Sequence, residues 1–592
     1  MFLIETGFVM VVVLLAFACP QLGSRWFGHC ERALAKLARR QGLAVLVVGL
    51  SALAVRAALL PILPTPQPGV HDEFSYLLMA DTFAHGRLTN PTHPMWIHFE
   101  TFHVIQKPTY ASMYFPAQGV FLAAGQVIFH RPFWGVWLSA GLMCAAICWM
   151  LQGWLPPFWA LLGGFLAVIR LATFSYWVNT YFGGTVAALG GALVLGAFPR
   201  IKRHQRLLDV VLMGLGLAVL ANSRPYEGFF FALPVGVALL LWMSHSGGDL
   251  TQSLRRVGLP LGLILAVTAA AMLYYFWRVT GNPFHTPFLV NLATYDPVPY
   301  FPWESVKPWP VYHHEVMRKF YTGWLLDYYQ FSRSHPFIAV LLKSGVFWCF
   351  YLGPLFTLPI AMLGLVLPRG FSFRDISRRT RFLLFVACVT FFGILLPVFT
   401  NPHYAAPMTC VIYALLLSAL QRTRYWRWRG KPTGLALTRG VPTVAVLLLL
   451  ICAARSFLQI HDNPAPQTWC SPYEQGWDRP SIQARMENLS GRHLLLVRYS
   501  PSYDPRGNWV ANGADIDGSK VVWANDMGPQ QNQELIEYFK DRKVWLVEPE
   551  VIPTKISDYV ARAPAKSPVC SRIAMAVTVG MAGGDGDEGS HE

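Results

Sequence analysis

Phe115-Pro-Ala-Gln-Gly-Val-Phe-Leu-Ala-Ala-Gly-Gln-Val-Ile-Phe-His130 is an apolar run between Tyr114 and Arg131, and whether it crosses a membrane decides the sidedness of every run around it. Backbone N–H and C=O groups find no water in hydrocarbon, so an apolar run of about 20 residues between polar loops reads as a spanning helix. About twelve such runs occur, near residues 3–20, 43–62, 133–151, 158–172, 184–199, 207–221, 227–244, 257–277, 345–366, 382–399, 405–421 and 441–459. Lys and Arg should gather in the cytoplasmic loops between them. They fall in alternate loops: Arg25 to Arg40, Arg200 to Arg206, Arg255 with Arg256, Arg369 to Arg381, and Arg422 to Arg439. A crossing at residues 115–130 would put the loop around Arg203 outside. The run is therefore placed as an interfacial helix on the outer face. The N-terminus is also placed outside, because the first basic cluster follows the first span, the reverse of a cleavable signal peptide.

Composition agrees. Of 592 residues, 54% are hydrophobic and 14% charged, where soluble chains carry about 25% charged residues. Mean hydropathy is +0.37, and 21 Trp and 39 Phe suit aromatic belts at two interfaces. The net charge of +16 lies in short clusters between apolar runs, not in one stripe beside stacking aromatics, so nucleic acid is not an expected partner. The expected fold is an all-α polytopic membrane domain of about 12 transmembrane helices over residues 1–460, with surface helices in a first outer loop at 63–132. A small α/β extracytoplasmic domain follows over 461–592 and ends in a disordered tail. In that domain His493 to Val497 and Lys543 to Val547 read as strands, and Gln531 to Arg542 as a helix. Cys470 and Cys570, its two cysteines, are expected to be bridged in an oxidising compartment.

Chemistry is sought where charge is scarce, on the outer side. The first outer loop opens His71-Asp72-Glu73-Phe74-Ser75-Tyr76. Adjacent acids in a loop are commonly only solvated, but Phe74, Leu77, Leu78, Ala80 and Phe83 have near-helical spacing. That spacing lays a helix along the membrane surface with the acids at its entrance. Further on, Gln106-Lys107-Pro108 precedes Tyr110 and Tyr114, and Lys107 either snorkels to headgroups or meets an anion. Arg224, in Asn222-Ser223-Arg224-Pro225-Tyr226-Glu227, either pairs with Glu227 or clamps a phosphate. The segment 175–184 offers Asn179, with Trp177 and Tyr181 read as belt aromatics. Thr280 to His285 offers His285, and Asn401 to Pro407 offers His403 and Tyr404, a polar pair opening a span.

An acidic pair after an early span, a surface helix of the form Tyr-Leu-Leu-x-Ala, a Lys-Pro before a second surface helix, and His-Tyr-x-x-Pro opening a late span together resemble the GT-C superfamily of integral-membrane glycosyltransferases. The nearest branch looks like the bacterial relatives of protein O-mannosyltransferases and of the lipid A aminoarabinose transferase. The resemblance implies transfer of a sugar from a polyprenyl-phosphate donor to a lipid, glycan or protein acceptor at the periplasmic face of the bacterial inner membrane, with inversion. It assigns the general base to Asp72 or Glu73, and the donor phosphate to Lys107, Arg224, His403 and Tyr404. Tyr110, Tyr114, Asn179, Tyr181, Glu227 and His285 become candidate substrate contacts. Many members carry a second acid in the second outer loop, and residues 173–183 contain none. No cofactor is expected, a divalent metal included, because hard cations want several charged oxygens.

Three other readings fit less of the sequence. A transporter or lipid flippase would carry broken helices, repeats and midplane charges, whereas the polar interest here gathers at one face. A nucleotide-sugar enzyme could use Asp515-Ile-Asp517, but Gly518 makes that a turn. An envelope assembly protein would act through its tail and leave Asp72 and Glu73 dispensable.

Overall fold

The computed structural model describes residues 1–245, 250–366, 375–460, 468–470, 478–507, 509–550 and 554–560. Each of the twelve apolar runs contains a helix. Eight helices are long and apolar enough to cross a membrane: Gln41–Leu59, Phe133–Trp154, Thr185–His204, Pro225–Ser244, Leu250–Thr280, Pro336–Gly364, Pro402–Thr423 and Thr433–Phe457. Phe2–Ala18, Pro157–Leu171 and Leu207–Ala221 are apolar but shorter, and Arg378–Leu395 opens on Arg378, Arg379 and Arg381. The chain is a multi-pass membrane protein.

Phe133–Trp154, Thr185–His204 and Pro402–Thr423 are the most buried of these helices and form the centre of the bundle, while Leu250–Thr280 lies at its edge. Small residues permit the close crossings, as is usual where lipid gives helices no hydrophobic reason to associate. A Cβ on Gly191 would collide with the Pro407 carbonyl, and one on Gly135 with that of Phe121. The second crossing seats the Pro116–Phe129 helix on the bundle. That helix has 14 residues, about 21 Å of rise against a hydrocarbon core of about 30 Å.

Two regions read as loops are helical. The basic cluster after the first run forms Ser24–Arg39, docked through Glu31, which accepts from Arg424 and Arg439 at 2.9 Å each. Its pattern is amphipathic, with charged and apolar residues interleaved, so apolar runs alone do not reveal it. The segment after Arg278 holds Pro287–Tyr295 and then helical turns from Glu315 to Ser334.

Near the C-terminus, β3 (Arg492–Val497) pairs in parallel with β4 (Val521–Asn525) and β5 (Arg542–Glu548), and β6 (Lys555–Asp558) runs antiparallel to β5. Here β1 (Val104–Ile105) and β2 (Ala111–Ser112) are a short hairpin in the first loop. Pro529–Tyr538 is the expected helix between strands. The sheet rests on the first loop: Asn525 Nδ2 donates to the carbonyls of His98 (3.1 Å) and Glu100 (2.9 Å), and the Ala514 N–H donates to Asp81 at 2.7 Å. Arg479 stacks on Phe74 and Trp523, 4.5 and 4.7 Å from their ring centres.

The expected Cys470–Cys570 bridge is corrected. Cys470 is joined to Cys452 in the last turns of Thr433–Phe457, with Cα atoms 6.6 Å apart. Cys452 lies within the apolar run at 441–459. Cys570 and the expected disordered tail lie outside the described residues.

Candidate active site

The two adjacent acids occupy different environments because a helix turns about 100° per residue. The surface helix runs His71–Ala84. Glu73 is buried, and its carboxylate accepts the N–H groups of Gly69 (2.8 Å), Val70 (3.3 Å) and, across the chain, Tyr181 (3.1 Å). It thus caps its own helix and ties it to the turn at 173–183. Burial pushes its carboxyl up to about 7 against those three donors. Asp72 is 34% exposed, accepts the Tyr114 hydroxyl, and has Oδ2 3.4 Å from His71 Nδ1. Burial pushes its carboxyl up, but the His71 and His103 imidazoles and the Tyr114 hydroxyl outweigh it and hold the group well below the usual carboxylate range. Tyr76, one turn along, stacks on Tyr114 with ring centres 4.4 Å apart.

Arg224 stands just before the Pro225–His245 helix with its guanidinium carbon 4.3 Å from the centre of the Tyr404 ring. Its electrostatic neighbours are Tyr76, Glu227, Tyr404 and Tyr114, while Asp72 acts on Tyr76 and Tyr404. Asp72 and Arg224 therefore face one cluster of tyrosines. Glu227 is buried one turn inside the helix as a counter-charge to Arg224. Ala117 N–H donates to Asn222 O at 2.8 Å, joining the Pro116–Phe129 helix to the turn that carries Arg224. His403 is held from behind: Tyr176 OH meets its Nδ1 and accepts its N–H, both at 3.0 Å, and Tyr351 OH donates to Pro402 O at 2.8 Å.

The turn at 173–183 packs inward. Trp177 is fully buried and Tyr181 is 8% exposed, so the belt reading of both is corrected. Asn179 Nδ2 donates to Thr173 O and Ser175 O at 2.8 Å, and Tyr181 OH donates to Pro66 O at 3.0 Å. Both side chains shape the turn that receives Glu73.

Three candidates sit apart from the cluster. Lys107 is exposed at the tip of the β1–β2 hairpin, with Nζ 4.1 Å over the Trp96 ring. Its electrostatic partner there is Glu100, a buried acid that accepts from Tyr295 OH (2.9 Å) and meets His313 Nδ1 (2.7 Å). Tyr110 is buried and donates to Asn512 O at 3.1 Å, which anchors the C-terminal sheet. His285 is exposed, and its carbonyl accepts from Thr280.

Sequence reasoning passed over His71, Tyr76 and His103. His71 and Tyr76 stand in the quoted motif and were legible by position. His103 comes from a distant turn, and nothing local marks it. Its backbone has φ 58°, a left-handed conformation that His tolerates better than most residues, and its imidazole lies 4.6 Å from that of His71 between ring centres.

No protein-family description matches the chain, and no curated protein matches its sequence. Solved structures similar to it include the Archaeoglobus fulgidus oligosaccharyltransferase tethered with an acceptor peptide, at 13% identity and TM-score 0.45 over 86% of this chain and 68% of that one. ArnT from Cupriavidus metallidurans bound to undecaprenyl phosphate is similar at 14% identity and TM-score 0.47, over 85% of this chain and 92% of that one. The A. fulgidus oligosaccharyltransferase AglB in complex with an inhibitory peptide and a dolichol-phosphate gives 13% and 0.39, over 86% and 69%. These are membrane glycosyltransferases of the GT-C superfamily, which the sequence motifs resemble. At TM-scores below 0.5 the likeness supplies no residue correspondence.

Proposed function

We propose that the chain moves a sugar from a polyprenyl-phosphate carrier to an acceptor hydroxyl at the extracytoplasmic face of a bacterial inner membrane, with inversion at the anomeric carbon. One observation carries the reading: a part-exposed, ionised carboxylate, Asp72, and a permanent cation, Arg224, address one tyrosine cluster where candidate spans begin. The carrier belongs to the lipid class named with ArnT and AglB; the residues, rather than the likeness, support the proposal.

In this reading the acceptor oxygen bonds the anomeric carbon as the carbon–oxygen bond to the lipid phosphate breaks. The electron pair leaves on the phosphate and the hydroxyl proton ends on Asp72. A carboxylate this acidic takes the proton late, once the attacking oxygen carries positive charge, and orients the hydroxyl before that. Glycosyl transfer suits such timing, because its transition state is oxocarbenium-like with little early bonding to the nucleophile. Arg224 stabilises the growing phosphate charge, and a preorganised donor in a water-poor site is worth about 3–4 kcal/mol. Tyr404 lies under Arg224 with the His403 ring 4.8 Å from its own, while Glu73 holds the helix that presents Asp72. Lys107, over Trp96 and beside Glu100, is left to the rim. The C-terminal sheet, docked on the same helix through Arg479 and Phe74, is proposed to form the acceptor side.

The test is to incubate purified protein with polyprenyl phosphates bearing labelled sugars and an envelope extract, and to follow the label. Label leaving the lipid for a new acceptor supports the reading; label staying on every donor offered overturns it.

A further inference from the structure

We infer that His71, Asp72 and His103 form a transition-metal site of the zinc class. One donor atom from each of the three residues lies within 4.8 Å of the others. Ligands of a tetrahedral zinc, bound at about 2.0–2.1 Å, stand about 3.3 Å apart, so modest side-chain rotations close the set. Two imidazoles and a carboxylate are a donor set that suits zinc and its neighbours over magnesium or calcium, which take oxygen ligands.

Independent observations point the same way. His71 is 8% exposed, and its Nδ1 makes no hydrogen bond; the buried Nδ1 of His103 makes none either. Buried imidazole nitrogens ordinarily find a partner; here His103 Nδ1 has none and His71 Nδ1 has only the Asp72 carboxylate 3.4 Å away, so the two nitrogens and the carboxylate mark a place for a ligand that all three can bind. The backbone at His103 is held in its left-handed conformation from outside the site: its carbonyl accepts from Ser75 Oγ at 2.7 Å and from Met113 N–H at 3.1 Å. Orienting contacts also surround the ligands. Tyr114 donates to Asp72, and the rings of Phe102 and Phe320 stand 5.0 and 4.9 Å from that of His71. The Tyr114 hydrogen bond orients the carboxylate as an outer-shell partner orients a ligand, and the apolar rings limit water around the set. Three protein ligands leave a coordination position open to an oxygen ligand.

The site shares Asp72 with the transfer reading but stands without it, since an inactive protein would still bind the ion. The test uses full-length protein without a histidine tag, stripped by chelator and titrated with Zn²⁺ and with Co²⁺, reading metal content by mass spectrometry and Co²⁺ binding by visible absorption. Wild type is expected to hold one equivalent. Losing only an outer-shell partner costs about 10–100-fold in affinity, so His71→Ala and His103→Ala are expected to weaken binding by at least about 100-fold. His285→Ala is expected to leave it unchanged. Circular dichroism of His103→Gln checks that folding survives. Absence of a stoichiometric ion in wild type, or unchanged affinity in folded His71 and His103 variants, overturns the site. Metal binding with no sugar transfer would keep the site and sink only the transfer reading.

Discussion

The guanidinium carbon of Arg224 lies 4.3 Å from the centre of the Tyr404 ring. The two residues come from chain segments that open different candidate spans. The ring holds the cation in place without neutralising it, so the charge remains available to an incoming phosphate. Arg224→Ala is expected to lower kcat/KM for the lipid donor about 100-fold or more. Tyr404→Phe keeps the ring beneath the cation and is expected to cost less than about tenfold. Steady-state assays over a range of donor concentrations check the order of the two effects; a larger loss in Tyr404→Phe than in Arg224→Ala would count against the clamp.

Glu73 and Asp72 should separate stability from turnover. Glu73→Ala leaves the N–H groups of Gly69, Val70 and Tyr181 without their acceptor, and a buried donor left unmet costs about 1–3 kcal/mol. A clear fall in Tm is expected for this variant. Asp72→Asn keeps an oxygen for Tyr114 and is expected to unfold near the wild-type temperature. Thermal unfolding of both variants in one detergent checks the contrast.

Asp296 gives a pH dependence outside the spans. Burial pushes its carboxyl up to about 7, against the Val298 N–H and Lys307. A carboxyl raised on folding contributes stability that is complete below its unfolded pKa and is lost as pH rises through the folded value. This contribution is therefore present near about pH 4 and lost above about pH 7. Asp296→Asn removes the titration, so its Tm should fall less than that of wild type between about pH 5 and about pH 9. Parallel Tm curves would contradict the assignment.

The Cys452–Cys470 bridge closes a short loop at the end of the Thr433–Phe457 helix. Non-reducing peptide mapping is expected to find these two cysteines joined, and the link should survive Cys570→Ser. A Cys470–Cys570 peptide in its place would restore the pairing expected from composition.

Much of this arrangement could be read from residue order, for identifiable reasons. Spans announce themselves because hydrocarbon forbids unpaired backbone groups, β3 because a buried parallel strand is a continuous apolar run, and β5 because its half-buried centre, Val544 to Val547, is one as well. Asp72 and Arg224 stood out as rare charges at span ends. His103 did not, because its place beside His71 depends on a left-handed backbone and a hairpin that no local pattern records. Lys107 was legible from its Lys-Pro context, whereas its neighbours Trp96 and Glu100 follow from the hairpin and have no local signal. The Ser24–Arg39 helix was hidden because its charged and apolar residues interleave and leave no continuous apolar run.

The most direct test compares sugar transfer from a labelled polyprenyl-phosphate donor by wild type, Asp72→Asn and Glu73→Gln, each normalised to folded protein. Removing a general base typically costs 10²–10⁴-fold. Asp72→Asn is therefore expected to transfer at least about 100-fold more slowly than wild type, with Glu73→Gln much nearer to it. Wild-type rates in Asp72→Asn, or a loss confined to Glu73→Gln, would contradict the role proposed for Asp72.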